Sequence, residues 1–379
     1  MDYGKKALEA HKRLRGKIAI SLKDNLDSKE KLSVYYTPGV AAVSDFTAKH
    51  PSNAREYTWL NNCVAVVSDG SAVLGLGDIG PLGALPVMEG KAMLFKHFAN
   101  IDAVPIVLDA HEPDEIIEAV KAIAPSFGGI NLEDIAAPKC FKIEQKLKDS
   151  LDIPVFHDDQ HGTAVVVLAG LINACKVTNR GLNDCRITLS GVGAAGIAVA
   201  RLIKQYAPDV QFTAVDSQGI VWRGRSDLNP AKRKLINEKI IAADTSGGLT
   251  KALVGADIFI GVSKAGILKS NMVRSMSRDP IIFAMANPDP EIMPAAAKTA
   301  GAAVIATGRS DYPNQVNNAV AFPGIFRGAL DNEVSKITDQ HKIAAAETIA
   351  SLIKKPTPEK IIPSVLDSRL VPAIARVIV

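Results

Sequence analysis

The sequence is short of aromatic residues, 5 % in all, with only two tryptophans and four cysteines. Cys63, Cys140, Cys175 and Cys185 lie far apart, form no CxxC pair and sit mostly in apolar or helical surroundings. That pattern argues against a disulfide framework or a cysteine zinc site and reads as buried thiols in a reducing compartment. No apolar run reaches the length of a membrane span without a charge or a helix breaker, and the opening MDYGKKALEAHKRLRGKIAI lacks an apolar signal core. Basic residues outnumber acidic ones by only 44 to 40, mixed along the chain without a basic block, so nucleic acid is not a favoured partner. These absences predict a cytoplasmic protein that touches neither membrane nor nucleic acid.

What is present is the make-up of a globular protein, 47 % hydrophobic and 22 % charged, in 379 residues, a length that predicts two domains. A charged helix is expected up to about Gly16. Beyond it short apolar runs alternate with amphipathic segments: strands in NCVAVVSDG, DAVPIVLDA and GGINLED, helices in ALPVMEGKAMLFKHFANI, PDEIIEAVKAIA and PKCFKIEQKLKDSL. The second half repeats the alternation with strands RITLSG, QFTAVD, ADIFIGV, PIIFAMA and AAVIATG. Strands alternating with helices imply an α/β fold with largely parallel sheets. The tail LVPAIARVIV must pack either on its own chain or on a second protomer.

GxGxxG occurs twice, and context separates the copies. Gly75, Gly77 and Gly80 follow a turn and precede Pro81 and Gly83, which predicts a loop. Gly191, Gly193 and Gly196 follow the strand CRITLS and open a small-residue helix, with Ala194 and Ala195 at its start and Asp216 ending the next strand. A dinucleotide fingerprint requires this strand, this helix and an acid about 20 residues on. Asp216 accepting ribose hydroxyls favours NAD; Arg223 and Arg225 follow closely and offset its repulsion of a 2′-phosphate, so NADP stays open. The expected organisation is an N-terminal α/β domain, residues 1–156, and a C-terminal Rossmann-type doubly wound parallel sheet, residues 157–379.

Two acidic pairs, Glu133-Asp134 in GINLEDI and Asp158-Asp159 in VFHDDQHGTA, each follow a short apolar run. Each should sit at the C-terminal end of a strand, where open α/β sheets bind their ligands. Four carboxylates converging on one cleft repel unless a cation sits between them, and an all-oxygen set suits Mg²⁺ or Mn²⁺. His157 and His161 are four apart but share a face only on a helix; with a helix expected to start near Gly162-Thr163 they should diverge. HEPDE is not a zinc-binding HExxH, because Glu115 stands at its last position.

With these residues in view the chain resembles the malic enzymes of the short bacterial and archaeal type. Nearly the whole length takes part, through YYTPGVA, GLGDIGPLGALPVMEGKAMLFK, INLEDI, VFHDDQHGTA, GVGAAGIA, ANPDPEI and VNNAVAFPGIFRGAL in order. The resemblance implies oxidative decarboxylation of malate to pyruvate and CO₂ with NAD or NADP and Mg²⁺ or Mn²⁺. It implies Glu133, Asp134 and Asp159 as metal ligands, Lys91 as the base for the malate hydroxyl, Asp158 as the partner of Lys91 and Tyr36 as the acid. Asn287 and Asn318 match side chains that hold substrate and nicotinamide. A lysine beside a bound cation is expected to have its pKa lowered toward neutrality.

One position departs from the pattern. Long eukaryotic members bind malate through an arginine where this chain has Ala72, so a loop amide, Asn318 or a second subunit must take that carboxylate. A homodimer or higher homo-oligomer is expected. The rival readings are a malolactic reaction, a hydroxyacid dehydrogenase that does not decarboxylate, and a nucleotide-binding module without catalysis; in the last two the acidic pairs would be idle.

Overall fold

The computed structural model describes residues 3–379 apart from Leu74 and Ala243. The apolar run Cys63–Ser68 forms strand β1 and is buried at every position, as a strand covered on both faces must be. It is joined by β2 (Asp102–Val107), β3 (Gly129–Leu132) and β4 (Val155–His157) in a parallel sheet of order β2-β1-β3-β4. The second sheet contains β5 (Arg186–Ser190), β6 (Gln211–Asp216), β7 (Gly219–Ile220), β8 (Ile258–Gly261), β9 (Ile281–Ala284) and β10 (Val304–Thr307). Their order is β10-β9-β8-β5-β6-β7, parallel throughout except for the short β6–β7 turn-back. The chain leaves β5 toward β6 and returns on its other side as β8, so the crevice beyond β5 and β8 is the topological switch point.

Two helices start earlier than their spacing predicts. Gly80–Ala99 opens inside the first glycine run, with Gly80 at φ +70 and Pro81 in the first turn, where a missing N–H breaks no helical bond. The loop expected there therefore reaches only as far as Ile79. Asp158–Val177 likewise begins directly after β4, not near Gly162. Two acids in its first turn favour that start, because the helix N-terminus carries partial positive charge. Gly162 fits inside this helix for a local reason: a Cβ would collide with the Asp158 carboxylate and lie 3.0 Å from the Asn318 Cβ. The N-terminal helix runs Tyr3–Leu14 and is ended by left-handed Arg15 and Gly16, close to the expected stop.

The Asp158–Val177 helix is buried over most of its length and belongs to a core that takes Val64, Val66 and Phe156 from the first sheet and Ile187, Leu189 and Phe283 from the second. A helix late in the sequence, Phe322–Asp331, packs back on the Gly80–Ala99 helix and β4 of the first sheet. Phe95 meets Phe322 and Phe326 edge-on at 4.7 and 5.2 Å, and Phe326 meets Phe156 at 5.9 Å. The apolar tail packs on its own chain: Ile374 and Ile378 are fully buried against Gly324 and Gly328, whose missing side chains make room for them.

Phe326 is fully buried and meets Phe95 of the Gly80–Ala99 helix and Phe156 of β4, so Phe326→Ala should cost about 3–5 kcal/mol in chemical denaturation. A loss below about 1 kcal/mol would mean that this aromatic contact does not hold the Phe322–Asp331 helix against the first sheet.

Candidate active site

The C-terminal ends of β3 and β4 are adjacent, which brings the two acidic pairs together. Lys91, on the Gly80–Ala99 helix, projects between them. Its Nζ lies 2.6 Å from Asp158 Oδ2, 2.8 Å from Glu133 Oε1 and 4.4 Å from the centre of the Phe322 ring. Asn131 on β3 donates to Glu133 Oε2 at 2.9 Å, and the Asp134 N–H donates to Asp159 Oδ2 at 2.8 Å. Asp134 adopts φ +52, the left-handed conformation that Asp tolerates better than most residues. One carboxylate oxygen from each of Glu133, Asp134 and Asp159 falls within 4.8 Å of the other two.

Burial pushes the Asp158 carboxyl up from 3.8 to about 6; Lys91 opposes the rise and Glu133 adds to it. Burial also takes Asp159 up to about 6, again against Lys91 and with Asp158 adding to it. Glu133 is raised by burial as well. For Lys91 burial alone pulls downward, but Asp158, Glu133 and Asp159 outweigh it and the net shift is upward, opposite to the lowering expected. The reason is charge balance: the ammonium is the cation to which these carboxylates turn. Three carboxylate oxygens gathered this closely, with no nitrogen or sulfur donor among them, fit a hard divalent ion.

The acids open into a cleft of about 980 Å³ that also holds Ala72, Lys91, Ala194, Ala195, Asn287 and Asn318. Ala194 and Ala195 begin the helix Ala194–Tyr206 that follows Gly191 and Gly193. Gly191, at φ +103, passes against the Val262 carbonyl; a Cβ on Gly196 would strike the Gly191 carbonyl, and a Cβ on Gly193 would meet nothing. The second fingerprint thus has its tight turn, its close packing and an open face at the switch point. Asp216 ends β6 beside this turn but lies outside the cleft lining, in ion pairs with Arg225 and Lys232. Arg223 turns away toward Asp244.

Other expectations change. His157 is fully buried behind the acids, its Nδ1 3.9 Å from Asp159, whereas His161 meets Glu144 at 2.8 Å, so neither joins the carboxylate group although both stand at the start of one helix. The amides of Gly70, Ser71, Ala72 and Val73 already donate within the protein, which removes them as carboxylate donors. Tyr36 is 67 % exposed and outside the cleft lining of its own chain. Three features escaped the sequence: Phe322 under Lys91, Asn131 behind Glu133, and buried Glu291, which accepts from the Ser263 and Ala286 amides and so ties down the loop carrying Asn287. Glu291 lies within the ANPDPEI motif, so a signal was present; nothing local marks Phe322.

Residues 15–148 match the family model "Malic enzyme, N-terminal domain" and residues 160–378 match "Malic enzyme, NAD binding domain". The chain belongs to the malic enzyme family. It is 52 % identical to a protein named NAD-dependent malic enzyme from Geobacillus stearothermophilus over 96 % of this chain and 76 % of that one. It is 49 % identical to one named bifunctional malic/malolactic enzyme from Bacillus subtilis over 100 % of this chain and 92 % of that one. Among solved structures, the NAD-dependent malic enzyme from Thermotoga maritima superposes with a TM-score of 0.94 at 50 % identity, covering 98 % of each chain. The two-domain α/β architecture of the malic enzymes is therefore the architecture of this chain.

Asp158 and Asp159 have folded-state values raised above 3.8, so without a cation their stabilising contribution is complete below about pH 4 and is lost as pH rises through about 6. A divalent ion replaces the protons they give up. Mn²⁺ should therefore raise the melting temperature more at pH 7.5 than at pH 5; equal increments at both would contradict the cation-binding role of this cluster.

Proposed function

We propose that this protein oxidatively decarboxylates malate to pyruvate and CO₂, with NAD or NADP as oxidant and Mg²⁺ or Mn²⁺ as metal, in the cytoplasm. The observation that carries the reading is Lys91, buried between Asp158 and Glu133 in the same cleft as Asp134, Asp159 and the fingerprint helix. Its curated relatives are named both as NAD-dependent and as NADP-dependent enzymes. We place the domain boundary between residues 156 and 157, at the last residue of β4 and just before the long central helix Asp158–Val177.

When bound, the divalent ion supplies Lewis acidity at the substrate oxygens and the nicotinamide supplies the hydride acceptor. Glu133, Asp134 and Asp159 would hold the ion. With those charges engaged by the ion, the hold on the Lys91 proton would weaken; Lys91 would give that proton to solvent, and its neutral Nζ, positioned by Asp158, would then take the proton from the malate C2 hydroxyl. Gly191, Gly193, Ala194, Ala195 and Gly196 form the turn and helix start for the cofactor's diphosphate, and Asp216 stands at its ribose end. Asn287 and Asn318 hold substrate and nicotinamide in the cleft. Tyr36 returns a proton to C3 after CO₂ leaves.

Tyr36 cannot do this within one chain, because it lies on the outside. The helices Tyr3–Leu14, Lys29–Tyr35 and Val40–Lys49 contain no buried residue, and Leu8, Ile20, Leu22, Val34 and Tyr35 around them are exposed. A second apolar surface, Leu76, Ile79 and Leu82, is exposed beside the cleft wall at Ala72 and Gly75. Apolar surface on this scale marks an interface. In a homodimer joining the two, Tyr36 of one protomer reaches the cleft of the other. The alternatives are less favoured: the relatives are named malic enzymes, with the Bacillus subtilis one also malolactic, and a plain dehydrogenase leaves the buried acids without work.

With malate, Mn²⁺ and NAD or NADP, pyruvate and CO₂ should form in step with the reduced cofactor. Oxaloacetate accumulating without CO₂ would exclude decarboxylation, and lactate without reduced cofactor would assign the malolactic reaction instead. Tyr36→Phe and Lys91→Ala should each be nearly inactive alone. Mixed and re-annealed, they should recover about a quarter of native activity, because half the dimers are mixed and each has one intact site. No recovery would place Tyr36 and Lys91 of one chain in one site.

A further inference from the structure

Glu291 is fully buried, yet its partners are amides and a hydroxyl, with no basic side chain among them. Oε1 accepts from the Ser263 N–H at 2.9 Å and from Ser263 Oγ at 3.2 Å, and Oε2 accepts from the Ala286 N–H at 3.0 Å. Each oxygen thus faces an N–H donor, which favours the ionised carboxylate against the upward pull of burial. The backbone makes room for it: a Cβ on Gly261 would lie 2.4 Å from the Glu291 Cδ, and the Leu268 N–H donates to the Glu291 carbonyl at 3.0 Å. Ser263 Oγ is in turn 3.0 Å from Ser190 Oγ, so this one carboxylate joins the ends of β5, β8 and β9.

The segments it joins are cleft wall. Val262 and Ser263 after β8, and Met285, Ala286 and Asn287 after β9, line the cleft on the side of β5 away from β6. A dinucleotide whose diphosphate sits at the Gly191 turn lays its adenosine toward β6 and its nicotinamide toward β8 and β9. The nicotinamide ring is positively charged when oxidised and neutral when reduced. A buried carboxylate directly behind that wall, with no cation paired to it, attracts the first form and not the second.

We propose that Glu291 is a positioning residue whose buried charge biases the cleft toward the oxidised nicotinamide, favouring entry of NAD or NADP and departure of the reduced form. The inference rests on the dinucleotide and malate reading of the cleft and adds the redox state that the cleft prefers. Glu291 acts through Ser263 and Ala286 and does not itself line the cleft.

Equilibrium titration of the full-length protein without malate, with NAD against NADH and NADP against NADPH, tests this independently of turnover. Glu291→Gln should lower the ratio of oxidised to reduced affinity about tenfold, whatever it does to both together. Glu291→Met, which fills the same space without charge, should show the same fall, so the test does not hang on one variant folding. Glu291→Asp keeps the charge and should hold the ratio within about twofold even where both affinities drop. An unchanged ratio in the two neutral variants, whether or not both forms weaken, would make Glu291 a structural tie alone and overturn the assignment. Native protein that binds none of the four dinucleotides would overturn it together with the malate reaction. The expected fall in the ratio without malate oxidation by the native protein would overturn the malate reaction alone.

Discussion

The structure depends on one charge balance: a lysine and four carboxylates gathered at the C-terminal edge of a parallel sheet, with Lys91, Glu133, Asp134 and Asp158 all buried. One ammonium is too little positive charge for that many carboxylates in a medium of low dielectric. The surplus appears as the raised values of Asp158, Asp159 and Glu133 and as the firm hold on the Lys91 proton. The cluster is thus short of positive charge, and in the proposed mechanism a divalent cation would supply it and release Lys91 to act as a base. Stability and chemistry are joined at this point, because the arrangement that is electrostatically incomplete alone is complete when loaded.

Local geometry serves that balance. β4 ends at His157 and the helix begins one residue later, so two consecutive aspartates occupy the first helical turn and point in different directions. Asp158 turns inward to Lys91, past a glycine that leaves it room, and Asp159 turns toward Asp134 and the cleft. The Phe322–Asp331 helix then covers Lys91 with an aromatic face and packs on Phe95 of the same helix as Lys91. Metal cluster, base and cofactor turn come from different stretches of chain, and the shared core holds them around one cleft.

The strands and most helices were legible because their apolar residues repeat with the period of the element, as in the wholly buried β1 and in Pro113–Ile123. Helix starts were not. Pro81 and Gly83 read as loop residues, and whether a proline breaks a helix or opens it depends on its position in the first turn. The acidic pairs were legible as a charge problem that needs a cation, and the family motifs named the ligands. What periodicity does not carry is three-dimensional placement: Phe322 against Lys91, the loop amides already engaged, Asp216 locked by Arg225 and Lys232, and Tyr36 exposed outside the cleft lining of its own chain. Phe322 is brought to Lys91 by a segment distant in sequence, whereas the loop amides and Asp216 are engaged by pairings that only the folded turns define.

The division of labour between two neighbouring aspartates is the most direct expression of this account. Mn²⁺ affinity, measured by electron paramagnetic resonance titration on Asp159→Ala and Asp158→Ala, tests it. The account predicts a large loss for Asp159→Ala, whose carboxylate faces the ion, and a much smaller one for Asp158→Ala, whose carboxylate faces Lys91. Equal losses, or a larger loss for Asp158→Ala, would contradict it.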